Sequence, residues 1–222
     1  MKNNKGFTLV ELAIVLIIIG IVLTAVLKGQ ELIENAKVKR AITDMNTIFV
    51  AYNGYIDRYQ KKPGDDGGTA VTVLTARGGS WTAVTAFGNA DGTLAALAAD
   101  TFANSASTET AAFWQHVKAA GFMTGAITAV GPAALPVNGS NGLVGVFNNT
   151  TALTGAGTGI NVCLSQVPGK AAAAIDKQLD DGIRNSGNIR ATIGVAGTNT
   201  VPGAASAATY LESAEYTICR SL

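Results

Sequence analysis

The chain opens with an almost unbroken run of apolar residues. From Phe7 to Leu27 it reads FTLVELAIVLIIIGIVLTAVL, which is long enough to span about 31 Å as a helix. That length matches the hydrocarbon core of a bilayer. Lys2 and Lys5 precede the run, and basic residues hold that end of a helix in the cytoplasm. The pattern predicts a membrane-spanning helix that delivers the rest of the chain to the outer side of the membrane.

The helical pattern continues beyond Leu27 but changes its character. From Ile42 to Tyr59 apolar residues recur three or four apart, and charged residues fill the opposite face, as in a helix with one buried side. The stretch KKPG at 61–64 places lysines at a helix C-terminus and a Pro-Gly breaker after them. We therefore expect one long helix over 7–62, with 7–27 in the membrane, and a globular head over 63–222.

The first part of the head has no clear periodicity. Residues 64–107 are rich in glycine, threonine and alanine and poor in charge, which predicts a connecting region of surface loops with little regular structure. The stretch STETAAFWQHVKAAGFMTG then predicts a second helix, capped by Ser107 or Thr108 and ended by Gly121. We expect Trp114 of this helix at the margin of the core. The residues expected to supply core here are Phe113, Val117 and Phe122.

The second part of the head alternates short apolar runs with turn residues. The runs GLVGVFN, INVCLS, IRATIGV and YTICR are bounded by Gly, Asn and Pro, which is typical of strands in an antiparallel sheet. Between them, VPGKAAAAIDKQLDDG predicts a third helix, with Pro168 near its start and Gly182 beyond its end. The expected fold class is α+β, with a long helix packed on a small antiparallel sheet.

Composition narrows the chemistry that this fold can carry. Charged residues make up 14% of the chain and the net charge is +1, so no broad basic surface for nucleic acid is indicated. With one histidine and two cysteines, a histidine-built catalytic centre or a zinc site is not expected. Cys163 and Cys219, behind an export-type segment, predict one disulfide formed outside the cytoplasm. The alternative is a pair of unrelated buried thiols.

One acidic residue interrupts the apolar run. A carboxylate in hydrocarbon costs several kcal/mol unless it is paired or neutralised, yet Glu11 lies near the start of the predicted span. A secretory signal peptide is not indicated, because the leader MKNNKG is short and no A-x-A cleavage site follows the apolar residues.

The stretch KGFTLVELAIVLIIIGIVLTAVL resembles the N-terminus of a type IV prepilin or a type II secretion pseudopilin. It has a short basic leader, Gly6 before Phe7, and an acid five residues beyond Gly6. The resemblance implies that a prepilin peptidase cuts between Gly6 and Phe7, that residues 1–6 are removed, and that Phe7 becomes an N-methylated N-terminus. It also implies the pilin fold for the head.

The resemblance gives Glu11 a role in assembly. After cleavage Phe7 carries an amine, and in a staggered filament the Phe7 amine of one subunit can pair with Glu11 of another. Because either charge buried alone is costly, such pairing favours one axial register over others. The competing interpretation is a carboxylate near the membrane surface that reaches into water.

Three functions remain open at this point. The first is a structural subunit of an extracellular type IV pilus, not an enzyme, which begins as a single-pass protein of the inner membrane. Its partners would be further copies of itself, a prepilin peptidase, and an assembly platform driven by a separate ATPase. The second is a pseudopilin of a type II secretion system, which stays in the periplasm. The third is a membrane-anchored periplasmic binding or enzymatic domain.

Some head residues carry candidate chemistry. Asp176, Asp180 and Asp181 resemble oxygen-rich loops that hold calcium, although their spacing is not that of an EF-hand, and a solvated turn is the alternative. No other cofactor is expected. His116 lies mid-helix without a nucleophile beside it, and we interpret it as a surface or helix-packing residue. Four aromatic residues of the long helix are expected to form core against the sheet: Phe49, Tyr52, Tyr55 and Tyr59.

Overall fold

The computed structural model describes residues 8–106, 108–150, 152–153, 159–204 and 207–222. The chain divides into two compact units, Met1–Lys37 and Val38–Leu222, which we call unit 1 and unit 2. Helix α1, Leu9–Tyr59, contributes residues to both. Among the described residues of unit 1, all are exposed except Gly29, which is partly buried.

Unit 2 combines further short helices with four strands. In chain order these are α2 (Thr72–Thr75), α3 (Glu109–Ala119), β1 (Val144–Asn149), β2 (Gly159–Pro168), α4 (Gly169–Leu179), β3 (Ile189–Ile193) and β4 (Glu215–Ser221). Short 3-10 turns lie at Gly79–Ala83, Ala98–Asp100 and Pro132–Ala134. The second and third helices predicted from sequence are confirmed as α3 and α4, and the four apolar runs are confirmed as the strands. The α+β class is confirmed with them.

The strands form one antiparallel sheet in the order β1-β2-β4-β3. The last strand of the chain therefore lies in the middle of the sheet, where both of its neighbours hydrogen-bond to it. Consecutive residues of each strand are buried, and β2 has six buried residues in a row after its first. Because neighbouring residues of a strand point to opposite faces, such a strand is covered on both faces.

Helix α1 and the 98–102 segment supply apolar cover for this sheet. The main core joins Met45 and Ile48 of α1 to strand residues such as Val162 and Ile218. Next to Thr101 the chain needs a glycine, because a Cβ on Gly145 would lie 2.2 Å from the Thr101 carbonyl oxygen. The expected margin position of Trp114 is wrong. Its side chain is fully buried in the main core, because α3 is covered all round.

The described part of residues 64–107 contains little regular structure, as expected, but it does not consist only of surface loops. Leu74, Trp81 and Val84 are buried and build a second core with Tyr55 of α1. The aromatic prediction for α1 is therefore only partly right. Tyr52 packs at the main core, Phe49 is 38% exposed beneath Arg220, and Tyr55 and Tyr59 pack against this second core and not against the sheet.

Helix α3 starts without the expected side-chain cap. Thr108 occupies the N-cap position, but its hydroxyl donates to the Ser105 carbonyl at 2.7 Å and makes no cap bond. Ser107, the other predicted cap, lies outside the described residues. The helix end is as predicted, because Gly121 follows it with a φ of 82°, in the left-handed region that favours glycine.

Candidate functional site: the N-terminal assembly segment

Glu11 is held by the residue that precedes the helix. The backbone N–H and the hydroxyl of Thr8 both donate to Glu11 Oε2, each at 2.8 Å. In return the Glu11 N–H donates to Thr8 Oγ1 at 3.3 Å. Thr8 is followed by the first helical residue, Leu9, so the pair closes a reciprocal capping box at the start of α1.

Sequence reasoning missed this role of Thr8, although the signal was present. Thr-x-x-Glu before an apolar run is the sequence pattern of a capping box. The box satisfies two N–H groups that a helix otherwise leaves without partners. It also turns Glu11 Oε2 toward the N-terminal end of α1. Glu11 thus has an intrachain function in addition to the intermolecular one predicted for it.

Gly6 and Phe7, the predicted cleavage position, lie outside the described residues. Cleavage between them, N-methylation of Phe7 and the pairing of its amine with Glu11 therefore stay predictions. The helix that follows this position begins at Leu9, with Thr8 directly before it.

The rest of the segment presents an apolar surface. Among the described residues, one helix, α1, is long and apolar enough to cross a membrane by length and composition, and that apolar stretch is not buried. Large side chains such as Leu16, Ile17 and Leu27 are 62% to 69% exposed. Apolar side chains exposed in such a continuous run need lipid or another protein surface around them.

The disulfide is confirmed. Cys163 on β2 and Cys219 on β4 are directly opposite each other and bonded. Both side chains are fully buried. The bond links β2 to β4, the two central strands of the sheet. The described residues include no free cysteine.

The acidic cluster of the head is formed, but its oxygens have protein partners. Ligand atoms of Asp176, Asp180 and Asp181 lie within 4.8 Å of one another. Asp176 Oδ2 accepts from the Tyr210 hydroxyl at 2.6 Å, and Asp180 Oδ2 accepts from the Ile189 N–H at 2.9 Å. Burial raises the pKa of Asp176. Calcium binding at this cluster stays a prediction.

Asp65 and Asp66, two further carboxylates of the head, make other contacts. Asp66 accepts from the Tyr55 hydroxyl at 2.7 Å and forms an ion pair with Arg77 at 2.8 Å. Asp65 accepts the N–H groups of Asp91 and Gly92. These bonds connect different parts of the 64–92 segment with one another, and they attach the segment to α1.

His116 is a helix-packing residue and not a surface one. Its Nδ1 accepts from the Gly64 N–H at 3.0 Å, and its Nε2 lies 3.2 Å from the Ala86 carbonyl, which fixes the neutral tautomer with hydrogen on Nε2. Burial lowers the pKa of His116 to about 4. The neighbouring Gln115 accepts the N–H groups of Thr85 and Ala86 through Oε1. Together these two side chains anchor the 64–92 segment to α3.

A groove of about 310 Å³ on unit 2 shows no convergent chemistry. It is lined by Thr43, Asn46, Thr47, Val50, Ala51 and Phe122. None of these side chains titrates, and most of the surface that they offer is apolar. The groove thus lacks the polar groups that a catalytic centre requires.

Comparison with known families identifies the N-terminal segment. Residues 1–27 match the family model described as the prokaryotic N-terminal methylation motif. This motif, with its class III signal peptide, is the hallmark of type IV pilins and pseudopilins. No curated protein matches the chain.

The motif and the fold together indicate the general role. The described residues include one apolar helix long enough to cross a membrane, and with the motif this fits a precursor in the inner membrane that later becomes part of a pilus or pseudopilus. The motif implies processing by a prepilin peptidase and assembly into a filament. It points to a structural subunit and not to an enzyme.

Proposed function

We propose that this chain is the structural subunit of an extracellular type IV pilus. Prepilin peptidase removes residues 1–6, and Phe7 becomes the methylated N-terminus. Subunits wait in the inner membrane until an assembly platform, driven by a separate ATPase, extracts them. In the filament the apolar half of α1 forms the centre and the heads form the surface.

A single observation carries this proposal: inside the methylation motif, the exposed apolar run of unit 1 contains an acid, Glu11, which forms a capping box with Thr8. A simple membrane anchor requires the apolar side chains, but an uncharged glutamine could serve its capping box as well as the acid. A filament requires both, because Glu11 can accept the amine that cleavage creates on a neighbouring Phe7. Each such pair removes two uncompensated charges from an apolar interior.

The decisive experiment joins electron microscopy of cell-surface fibres with mass spectrometry of their subunit. We expect abundant fibres whose subunits begin with N-methyl-Phe7 and lack the first six residues. Gly6→Leu should leave the full-length precursor in the membrane, because a bulky side chain replaces the glycine before the cleaved bond. A Gly6→Leu chain that is still shortened by six residues would refute the cleavage site. Fibres without this subunit would refute the pilus.

A pseudopilin of a type II secretion system is the second candidate. The clustering of three carboxylates within 4.8 Å favours it, since a calcium ion bound there would stabilise a periplasmic head. Calcium-dependent thermal stability of the full chain in detergent, lost in Asp180→Asn, would support this alternative if no surface fibres are found.

A further inference from the structure

Unit 1 carries a ridge of charges with a regular spacing. Lys28, Glu31, Glu34 and Lys37 follow one another at every third position of α1, in the order plus, minus, minus, plus. All four are exposed. We call these four residues the charge ridge. They lie directly beyond the apolar run, where a helix leaves the hydrocarbon.

One ion pair within the ridge, between Lys28 and Glu31, is exposed enough to be exchanged. Lys28 Nζ and Glu31 Oε2 are 2.9 Å apart, but their side chains are 74% and 58% exposed. Ion pairs this exposed contribute little to stability in water. Close to an apolar filament core, where water is scarcer, charges of neighbouring copies interact more strongly.

The order of charges permits only certain axial displacements between parallel copies. With no displacement, each residue meets its own like charge in the other copy. With a displacement of three residues, one like pair, Glu31 beside Glu34, accompanies two opposite pairs. With a displacement of six residues, Lys28 meets Glu34 and Glu31 meets Lys37, and no like charges meet. With nine residues, Lys28 and Lys37 are the only two residues of the ridge that meet, and they repel.

Six residues correspond to an axial displacement of about 9 Å and a rotation of about 120° around α1. One copy therefore uses Lys28 and Glu31 toward one neighbour, and Glu34 and Lys37, on a different face, toward the other neighbour. Such a contact joins two different surfaces. Because the axial displacement prevents the copies from closing into a ring, the contact propagates as a helical filament.

We propose that the charge ridge is an interaction surface for a second copy of this chain, and that it sets the axial register at six residues. The inference rests on the proposed filament function. It agrees with the pair expected at the N-terminus, because the same displacement brings Phe7 of one copy level with residue 13 of the next. That level is two residues, or about 3 Å, from Glu11, and a glutamate side chain spans this distance.

Two charge-swapped variants of the full chain test the register, since they have the same composition and net charge. Lys28→Glu with Glu34→Lys gives the order minus, minus, plus, plus, which keeps both opposite pairs at six residues. Lys28→Glu with Glu31→Lys keeps the opposite pair inside one chain but places like charges together at six residues. We expect the first variant to yield fibres within about twofold of wild type. The second should lose at least about tenfold, or assemble with a rise of about 4.5 Å.

Equal fibre yields from the two variants, or more fibres from the second, would overturn the proposal. That outcome would show the ridge to be a solvated helix surface, which only needs its intrachain pair. Precursor level and N-terminal mass are measured in the membrane for both, so that a processing failure is recognised as such.

Cysteine cross-linking measures the register without changing the order of charges elsewhere. Oxidised fibres of Lys28→Cys with Glu34→Cys should give a ladder of linked oligomers, whereas Lys28→Cys alone should give none. A ladder from Lys28→Cys with Glu31→Cys, and none from the first pair, would overturn the six-residue register. If Glu11→Ala abolishes fibres but charge order has no effect, only this inference fails. If wild type forms no fibres, the proposed function itself fails.

Discussion

The two units of this chain treat apolar residues in opposite ways. In unit 1 side chains such as Leu9 and Ile17 are 87% and 62% exposed, whereas in unit 2 Val162 and Ile218 are fully buried. Both sets are equally apolar, and both belong to regular elements whose backbone groups are hydrogen-bonded. The two sets differ in what covers their side chains. Unit 2 buries its apolar residues within one chain, while unit 1 needs lipid or further copies around it.

This contrast separates two kinds of mutation. A change in unit 1 should alter assembly and leave the fold of unit 2 intact, because the partners that it disturbs are other molecules. A change in the buried parts of unit 2 should alter the free energy of unfolding first, and assembly only as a consequence. A variant that changes fibre assembly and the free energy of unfolding of unit 2 to the same extent would contradict this separation.

The largest effect is expected for Glu11→Ala. Without the carboxylate, the Phe7 amine of a neighbouring subunit would be buried unpaired, which typically costs several kcal/mol per subunit. We expect fibre yield by electron microscopy to fall at least about tenfold, with membrane insertion and the unfolding of unit 2 unchanged. Glu212→Ala is the matched control, since it removes an equal charge from an exposed position of unit 2. Wild-type fibre yields from Glu11→Ala would contradict the assembly role.

Loss of the disulfide should have the largest effect on stability. Cys163 and Cys219 close a loop with a sequence separation of 56, and the chain-entropy model gives about 4 kcal/mol for such a loop. We expect the double variant Cys163→Ala with Cys219→Ala to lose about this much, as measured by denaturant unfolding of the full chain in detergent. Far-UV circular dichroism should show that the apolar half of α1 stays helical. A loss below about 1 kcal/mol would show that the sheet holds β4 without the bond.

The sequence was sufficient to predict an element wherever the residues that determine the element lie within it or directly beside it. The four strands could be predicted because each apolar run ends in turn residues, and α4 because Pro168 and Gly182 bound it. The capping role of Thr8 was also readable from Thr-x-x-Glu. It was missed because the intermolecular role of Glu11 accounted for the acid by itself.

Long-range contacts decide the rest. Trp114 could not be placed from its helix alone, since α3 is buried all round by segments that are distant in sequence. The 64–92 segment has no periodicity because irregularly spaced apolar residues, such as Leu74 and Trp81, and polar side chains of α3 position it together. Its anchors, Gln115 and His116, look like ordinary polar helix residues until the fold brings Gly64 and Ala86 to them.

Acid should weaken unit 2 through His116. Its pKa is about 4 in the folded chain and about 6.5 when unfolded, so the unfolded chain binds the proton more readily. The stabilisation is complete above pH 6.5 and is lost as the pH falls from 6.5 to 4, by up to about 3 kcal/mol. Protonation would place a second donor against the Gly64 N–H, which now donates to Nδ1.

Thermal unfolding of the full chain in detergent between pH 7 and pH 4 measures this dependence. His116→Asn is the control, because it does not titrate in this range. The variant should be less stable at pH 7 but should lose less on acidification than the wild type. Parallel pH profiles of the two proteins would exclude His116 as the cause. Proteolysis of the 64–92 segment should increase at the same pH if the segment is released from α3.

The smallest effect is expected at the start of α1, where unit 1 makes its own polar contacts. Thr8→Val removes the hydroxyl that accepts from the Glu11 N–H and donates to Oε2, whereas Thr8→Ser keeps it. Loss of such a cap typically costs about 1 kcal/mol, so the Glu11 amide should exchange about fivefold faster in Thr8→Val. Hydrogen exchange measured by NMR in micelles tests this, with Thr8→Ser close to wild type. Unchanged exchange would mean that the Thr8 hydroxyl does not stabilise the first turn of α1, and that the bond from the Thr8 backbone N–H to Glu11 Oε2 is sufficient.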